Sequence, residues 1–261
     1  MARKVWWTEF AAPDFAAVDP TRTVAVLPIA AIEQHGPHLP VGTDTILNQG
    51  CLDMLVERLP AELDLRIIPV QTAGKSNEHI WQKGTVSHTA HTLIDAWTEI
   101  GVSVARAGIR KMVMINSHGG NEEIMGIVAR ELRVSQQMMV VKTAWSRFGT
   151  PDGMLTDLEK RHGIHGGDME TSLVLHFRPE LVDMSKAEDF VSITARDERD
   201  FTHIRPTGTH AYAWIASDLN SAGVVGNAKI ATAERGQQIA EHQVSKMLEL
   251  LQEVARHPGV G

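Results

Sequence analysis

Apolar residues along this chain fall into two patterns, short β-branched runs and longer stretches where they recur every three or four positions. Thr23–Ala30 (TVAVLPIA), Leu65–Val70 (LRIIPV), Lys111–Asn116 (KMVMIN) and Met138–Thr143 (MMVVKT) are of the first kind. Each reads as a strand buried on both faces. Thr89–Ala107 is of the second kind, with Leu93, Ile94, Trp97, Ile100 and Val104 along one helical face and Gly108 at its end. The same periodicity predicts helices from Asp44 or Thr45 to Leu59, where Pro60 stops the chain, and over Asn121–Leu132, Met169–His176 and Ala228–Ala255. Strands alternating with helices predict a largely parallel sheet with helices on both faces. The segment 177–209 shows no period and reads as an irregular excursion over the sheet edge or as an oligomer contact.

In such sheets, sites form at the carboxyl ends of the strands, and the polar motifs of this chain fall there. The first strand runs into Glu33-Gln34-His35-Gly36-Pro37-His38-Leu39-Pro40-Val41-Gly42-Thr43-Asp44. Glu33 and His35, two apart in an extended segment, face the same way. The prolines and glycines fold the loop back, so that Asp44 could lie between two ions. Carboxylate and imidazole together suit Zn²⁺ or Mn²⁺. A polar Pro/Gly loop capped by Asp44 accounts for the same residues without a metal. The third strand ends in Asn116-Ser117-His118-Gly119-Gly120-Asn121, where His118 is either a metal ligand or an incidental residue of a phosphate-type turn. A third segment, His162-Gly163-Ile164-His165-Gly166-Gly167-Asp168-Met169-Glu170-Thr171-Ser172, repeats the pattern of a histidine, two glycines and an acidic helix start. Ligands drawn from several strand ends are what a two-metal hydrolase needs.

Composition narrows the class without changing this picture. The net charge is -7 and no run of five basic residues exists, which points away from nucleic acid and anionic membranes. The single cysteine, Cys51, excludes an intrachain disulfide and a Cys-rich zinc site, and its apolar surroundings predict a buried, inert thiol. No apolar run reaches the roughly 18 residues that a spanning helix needs. With no leader-like segment at Met1–Trp7, the expected compartment is the cytoplasm. The 13 histidines are numerous for 261 residues and add weight to metal or proton chemistry.

On these motifs the chain resembles the creatininase family, the metal-dependent amidohydrolases named for creatinine amidohydrolase. EQHGPHLPVGTD carries the resemblance most specifically; NSHGGN and HGGDMETS support it, and it extends from Trp6 to the helix near Ala228. It implies a three-layer α/β/α fold with a mainly parallel central sheet over residues 1–261 as a single domain. It also implies two divalent ions, Zn and/or Mn, and a homo-oligomer, often a hexamer. Glu33 and His118 would bind one ion and His35 the other, with Asp44 bridging. Creatinine-hydrolysing members carry a glutamate where this chain has Gly120, and Glu170 is the natural replacement. They also carry a glutamate where this chain has Ile164, which makes creatinine a doubtful substrate. His165 is retained and is expected to be the general acid toward the leaving nitrogen.

Glu78 and His79, on a loop after the second strand, together with Asn121 and Trp145, are expected to contact substrate. His38 is expected to pack beside its prolines, and Asp168 to complement a helix dipole. The expected activity is opening of a small cyclic amide or formamide C–N bond by a hydroxide bridging the two ions. Two alternatives use the same residues: hydrolysis of a C–C bond in a cyclic ketone, and a non-catalytic metal-binding maturation protein. A complete ligand set favours the enzyme.

Overall fold

A computed structural model describes residues 3–260. Four parallel strands form the central sheet in the order β2-β1-β3-β4: β1 Val24–Ile29, β2 Leu65–Ile67, β3 Lys111–Asn116 and β4 Met139–Ala144. β1 and β3 pair in register from Val24↔Lys111 to Ile29↔Asn116, so both end level at the same edge of the molecule. Successive side chains of a strand point to opposite faces, and the core divides accordingly. Val24, Val26, Val113 and Ile115 face one layer; Ala25, Leu27, Met112 and Met114 face the other.

The first layer is built from α1 Thr43–Glu57, α5 Asp168–Phe177 and α8 Ala233–Arg256. Leu52, Leu55, Val174, Ile239 and Met247 are almost wholly buried there. The second layer is built from α2 Ala90–Arg106 and α3 Glu122–Gln136, with Trp97 and Leu132 at its centre. The result is the three-layer α/β/α arrangement that the hydrophobic pattern and the resemblance together imply. Among the described residues no helix is long and apolar enough to cross a membrane. Cys51 is buried in the first layer, and burial pushes its thiol well above the ordinary range.

Element boundaries differ from expectation where local chemistry intervenes. β2 is shorter than Leu65–Val70 because Pro69 offers no N–H to the ladder. The C-terminal helix starts at Ala233, not Ala228. Thr232 caps it, its hydroxyl accepting from the Arg235 amide at 3.2 Å, and Ala228–Ile230 forms a separate 3₁₀ turn. The aperiodic segment 177–209 is made of elements too short to show a period. It holds α6 Thr194–Asp200 and β5 Asp189–Phe190, which pairs antiparallel with β6 Gly226–Asn227. Phe190, Ala187, Val224 and Ala228 form a small core of their own there, and the Phe190 ring stacks on His38 at 5.6 Å. This excursion therefore braces the loop that follows β1. Two short helices complete the order, α4 Asp157–His162 and α7 Ala216–Leu219.

Helices α5 and α8 cross at very close range. A Cβ on Gly236 would lie 1.9 Å from the Ser172 carbonyl oxygen, a backbone atom that cannot turn aside. Asp168 forms an ion pair with Arg235 at the same crossing. Gly236→Ala is expected to destabilise the fold by about 1–3 kcal/mol, the usual cost of overpacking, read as a lower urea midpoint with unchanged slope.

Candidate metal centre

The loop after β1 is shaped by its backbone. Glu33 N–H donates to the Val41 carbonyl at 2.9 Å and Ile32 pairs with Val86, so the chain from 33 to 41 closes on itself. Gly36 makes the turn at φ +73, and a Cβ there would lie 2.1 Å from Val224. The closure delivers Asp44, in the first turn of α1, beside Glu33 and His35. His118 stands two residues past the end of β3, its amide held by the Asn116 side chain at 3.1 Å. Glu170 comes from the first turn of α5, its carboxylate accepting from the Gly166 amide at 2.6 Å.

These five side chains converge. His35 Nε2 lies 3.5 Å from Asp44, 3.8 Å from Glu170 and 3.9 Å from Glu33. His118 Nδ1 lies 3.1 Å from Glu33 and 3.7 Å from Asp44. Asp44 thus stands between the two histidines. Glu33, His35 and Asp44 are each 1% exposed. His35 Nε2 and Asp44 Oδ2 are buried and have no hydrogen-bond partner among the described residues. Buried polar atoms are almost always partnered, and stranded ones cost free energy. An imidazole lone pair beside carboxylate oxygens is a donor set that divalent Zn or Mn satisfies. The residues therefore fit the two ions that the resemblance implies.

The histidine rings are oriented by backbone carbonyls, as metal-binding histidines usually are. His35 Nδ1–H donates to the Glu33 carbonyl at 3.1 Å, leaving Nε2 toward the cluster. His118 Nε2–H donates to the Lys75 carbonyl at 2.8 Å, leaving Nδ1 toward the cluster. Burial opposes charge on His35, but the Asp44, Glu170 and Glu33 carboxylates together outweigh it and push its pKa up to about 9. Burial pushes Glu170 up to about 7 against the attraction of His35. Burial likewise raises Asp44, with Glu33 beside it adding to the effect. Ions entering such a site displace these protons.

Residues outside the five fall into three groups. His165 sits at the edge of the cluster, Nδ1 3.6 Å from Glu33 and its ring 4.2 Å from that of His35. Burial and the neighbouring His35 hold it well below the ordinary histidine range, so it is neutral. Glu78 and His79 also reach the cluster; Glu78 lies 3.3 Å from His118 Nε2, and His79 Nε2 lies 3.5 Å from Glu33. Trp145 is both wall and core: it lines the adjoining cavity, is 4% exposed, and its indole N–H donates to Asn48 at 3.1 Å.

Asn121 is a correction. The expected substrate contact is fully buried, and its amide is consumed by the scaffold. Nδ2 donates to the Ala30 carbonyl and to Asn116, and Oδ1 accepts from the Lys75 amide at 2.9 Å. It ties the ends of β1 and β3 to the loop carrying Glu78 and His79. His38, expected beside prolines, instead bonds the Gly166 carbonyl and Thr171, and burial lowers its pKa to about 4. Asp168 is a buried ion-pair partner as well as a helix-start acid.

Several contributors carry no signal in the sequence. Ser76 Oγ–H donates to Glu33 at 2.5 Å. Gln34 lies between the two motif residues yet bonds His79, and is taken up below. Glu159 accepts from the Asp168 and Asn227 amides, each at 2.9 Å, and fills a niche left by Gly163, Gly167 and Gly226. A cavity of about 570 Å³ opens onto the cluster at His118 and Glu170, walled by Trp145 and Ile164 with Arg147 and Lys160 on its lining. That volume is typical of small-molecule sites.

Comparisons with known proteins agree with this geometry. A family model described as "Creatininase: Creatinine amidohydrolase" matches residues 8–251. The chain is 30% identical over 224 residues to a mycofactocin precursor peptide peptidase of Mycolicibacterium smegmatis, covering 85% of this chain and 81% of that protein. It is 30% identical over 250 residues to a creatinine amidohydrolase of Pseudomonas putida, covering 88% and 89% respectively. A solved mutant creatininase described as Zn-Zn type superimposes with a TM-score of 0.76 at 26% identity, covering 97% of this chain and 98% of that one.

Proposed function

This chain belongs to the creatininase family and is a metal-dependent hydrolase, and we propose that it opens the C–N bond of a small cyclic amide or formamide. The observation that carries this reading is the convergence of Glu33, His35, Asp44, His118 and Glu170 beside a cavity of small-molecule size. Glu33 and His118 would hold one ion, His35 and Glu170 the other, and Asp44 both. Bound there, divalent Zn or Mn would supply Lewis acidity and activate water at neutral pH. The chain's own part is orientation and proton transfer. Ser76 and the carbonyls of Glu33 and Lys75 fix the ligand rotamers. Trp145 and Ile164 give the bound molecule an apolar wall. His165 has its Nε2–H tied to the Gln34 carbonyl at 2.8 Å, so Nδ1 is the atom that takes up a proton and passes it to the departing nitrogen.

A second reading, cleavage of a peptide amide, is favoured by the peptidase relative. A panel of lactams, formamides, cyclic ketones and short peptides, assayed with Zn²⁺ and with Mn²⁺, tests both. Turnover confined to ketones would remove the amide reading, and no turnover with any class would leave a metal-binding scaffold. Creatinine is expected to be among the slowest amides in the panel, because Ile164 cannot exchange a proton where creatinine-hydrolysing members carry a glutamate. We further infer a cytoplasmic homo-oligomer. Exposed apolar side chains on the loop after β2, Ile80, Trp81 and Val86, support self-association.

The assignment of Glu170 has its own test. Glu170→Gln is expected to weaken one of the two ions by at least about 100-fold, beyond the 10–100-fold usual for outer groups, while the other stays bound. Retention of both ions at undiminished affinity in a metal titration would return Glu170 to the role of a helix-start acid.

A further inference from the structure

Gln34 is 6% exposed and every polar atom of its amide is engaged. Oε1 accepts from the Gly36 amide at 2.9 Å. Nε2 donates to the Gly223 carbonyl at 2.8 Å and lies 2.7 Å from His79 Nδ1. It also lies 3.4 Å from His165 Nε2, which is no acceptor because it carries the proton given to the Gln34 carbonyl. The orientation of an amide is assigned from its network, and here two backbone groups decide it. Reversed, the side-chain oxygen would face the Gly223 carbonyl, and the NH₂ would face the Gly36 N–H. Gly223 allows the approach, at φ +73, since a Cβ there would lie 2.7 Å from the Gln34 amide.

An NH₂ group has two protons. One goes to Gly223, so the other goes to His79 Nδ1, which must accept. A neutral His79 then carries its own proton on Nε2, the atom facing Glu33 at 3.5 Å. The main chain of the same residue acts on the neighbouring ring. His165 Nε2–H donates to the Gln34 carbonyl at 2.8 Å, so the edge of His165 that faces Glu33 at 3.6 Å is the bare Nδ1. The two rings stack at 4.3 Å, both protonated on Nε2, but they turn opposite edges toward the same carboxylate.

Glu33, His79 and His165 offer ligand atoms within 4.8 Å of one another, a grouping that by residue type alone could hold an ion. Its polarity does not suit one: a cation needs lone pairs, and His79 presents an N–H. An oxygen that accepts one hydrogen bond and donates two fits all three groups. We propose that Gln34 sets His79 as donor and His165 as acceptor, so that this niche binds a water molecule and not a third metal ion. Gln34 is thereby a positioning residue for both histidines. The inference rests on the metal-hydrolase reading only for the count of ions; the ring protonation stands apart from it.

Nitrogen-15 NMR of histidine-labelled protein, with and without saturating Zn²⁺, reads the protonation directly, with His79 assigned by its loss in His79→Gln. The expected spectrum shows His79 protonated on Nε2 and bare on Nδ1. A His79 ring protonated at Nδ1, alone or together with Nε2, overturns the proposal. Gln34→Glu removes the donor and is expected to move the His79 proton to Nδ1; an unchanged ring would show that Gln34 does not set it. Should that variant not fold, the spectrum of the unsubstituted protein still decides. Zinc titration of metal-free His79→Ala is expected to give the same number of ions as the unsubstituted chain, and one ion fewer would make His79 a ligand. A chain that binds no zinc at all, with His79 still protonated on Nε2, would sink the hydrolase reading and leave the Gln34 assignment standing.

Discussion

Replacing Asp44 by asparagine is expected to empty the centre of metal and to lower hydrolysis by about 10³-fold or more, since loss of Lewis-acid stabilisation worth several kcal/mol costs tenfold per 1.36 kcal/mol. Asp44 lies between the two histidines, 3.5 Å from His35 and 3.7 Å from His118, whereas Glu33 leans toward His118, 3.1 Å from it against 3.9 Å from His35. Metal analysis after dialysis reads the first effect, and full retention of both ions would remove Asp44 from the ligand set. Stability should fall as well when metal is absent, because Asp44 is the chief attraction on the buried, charged His35 ring, and removing one partner of a buried pair leaves the other uncompensated.

The pH dependence of the chelated protein follows from the same contacts. The folded pKa of His35, about 9, lies above its ordinary value of 6.5. Its charged form therefore stabilises the fold fully below pH 6.5, and that contribution is lost as pH rises through about 9. His38, lowered to about 4, acts in the opposite sense, but only below pH 6.5. The window from 6.5 to 9 accordingly reports on His118, which Glu33 likewise holds well above its ordinary value against burial, together with His35. The chelated protein should lose urea resistance across it, and Asp44→Asn, which removes the chief attraction on the His35 ring, should flatten the slope. Metal-loaded protein should show the reverse trend, because binding needs deprotonated ligands.

His165→Ala is expected to keep both ions and to lose about 10²–10⁴ in kcat, the usual contribution of a positioned proton donor. The geometry makes the role specific. Nε2–H is committed to the Gln34 carbonyl, so the ring can act only through Nδ1, which faces the cluster. Loss of one ion in the variant would make His165 a ligand, a role open to it because its donor atom lies within reach of those of His35 and Glu170. Full activity with both ions retained would make the ring structural, a stacking element between His35 and His79.

The sequence by itself determined the layered fold and singled out four of the five residues that converge beside the cavity. Four β-branched runs and the helical periodicity between them are local properties, set by which faces must be buried, and β3 has the limits its pattern predicts. Glu33, His35, Asp44 and His118 were legible because each stands at a strand end or helix start among glycines and prolines. Glu170 was legible only through the resemblance, from the absence of a carboxylate at Gly120. Tertiary structure decided everything that depends on which way a polar group turns. Asn121 reads as a site residue because it follows a glycine pair, yet its amide closes the gap between two strand ends. Glu159 stands just outside the HGGD motif, in α4, and reaches that loop only because three glycines leave it room. Gln34 stands between two motif residues, Glu33 and His35, that face the same way. The loop is not a regular strand, and the side chain turns back to meet His79, a partner 45 residues distant. Local pattern fixes where a hydrophobic side chain must go, since burial has no direction. A hydrogen bond has one, and its partner is known only once the chain has folded.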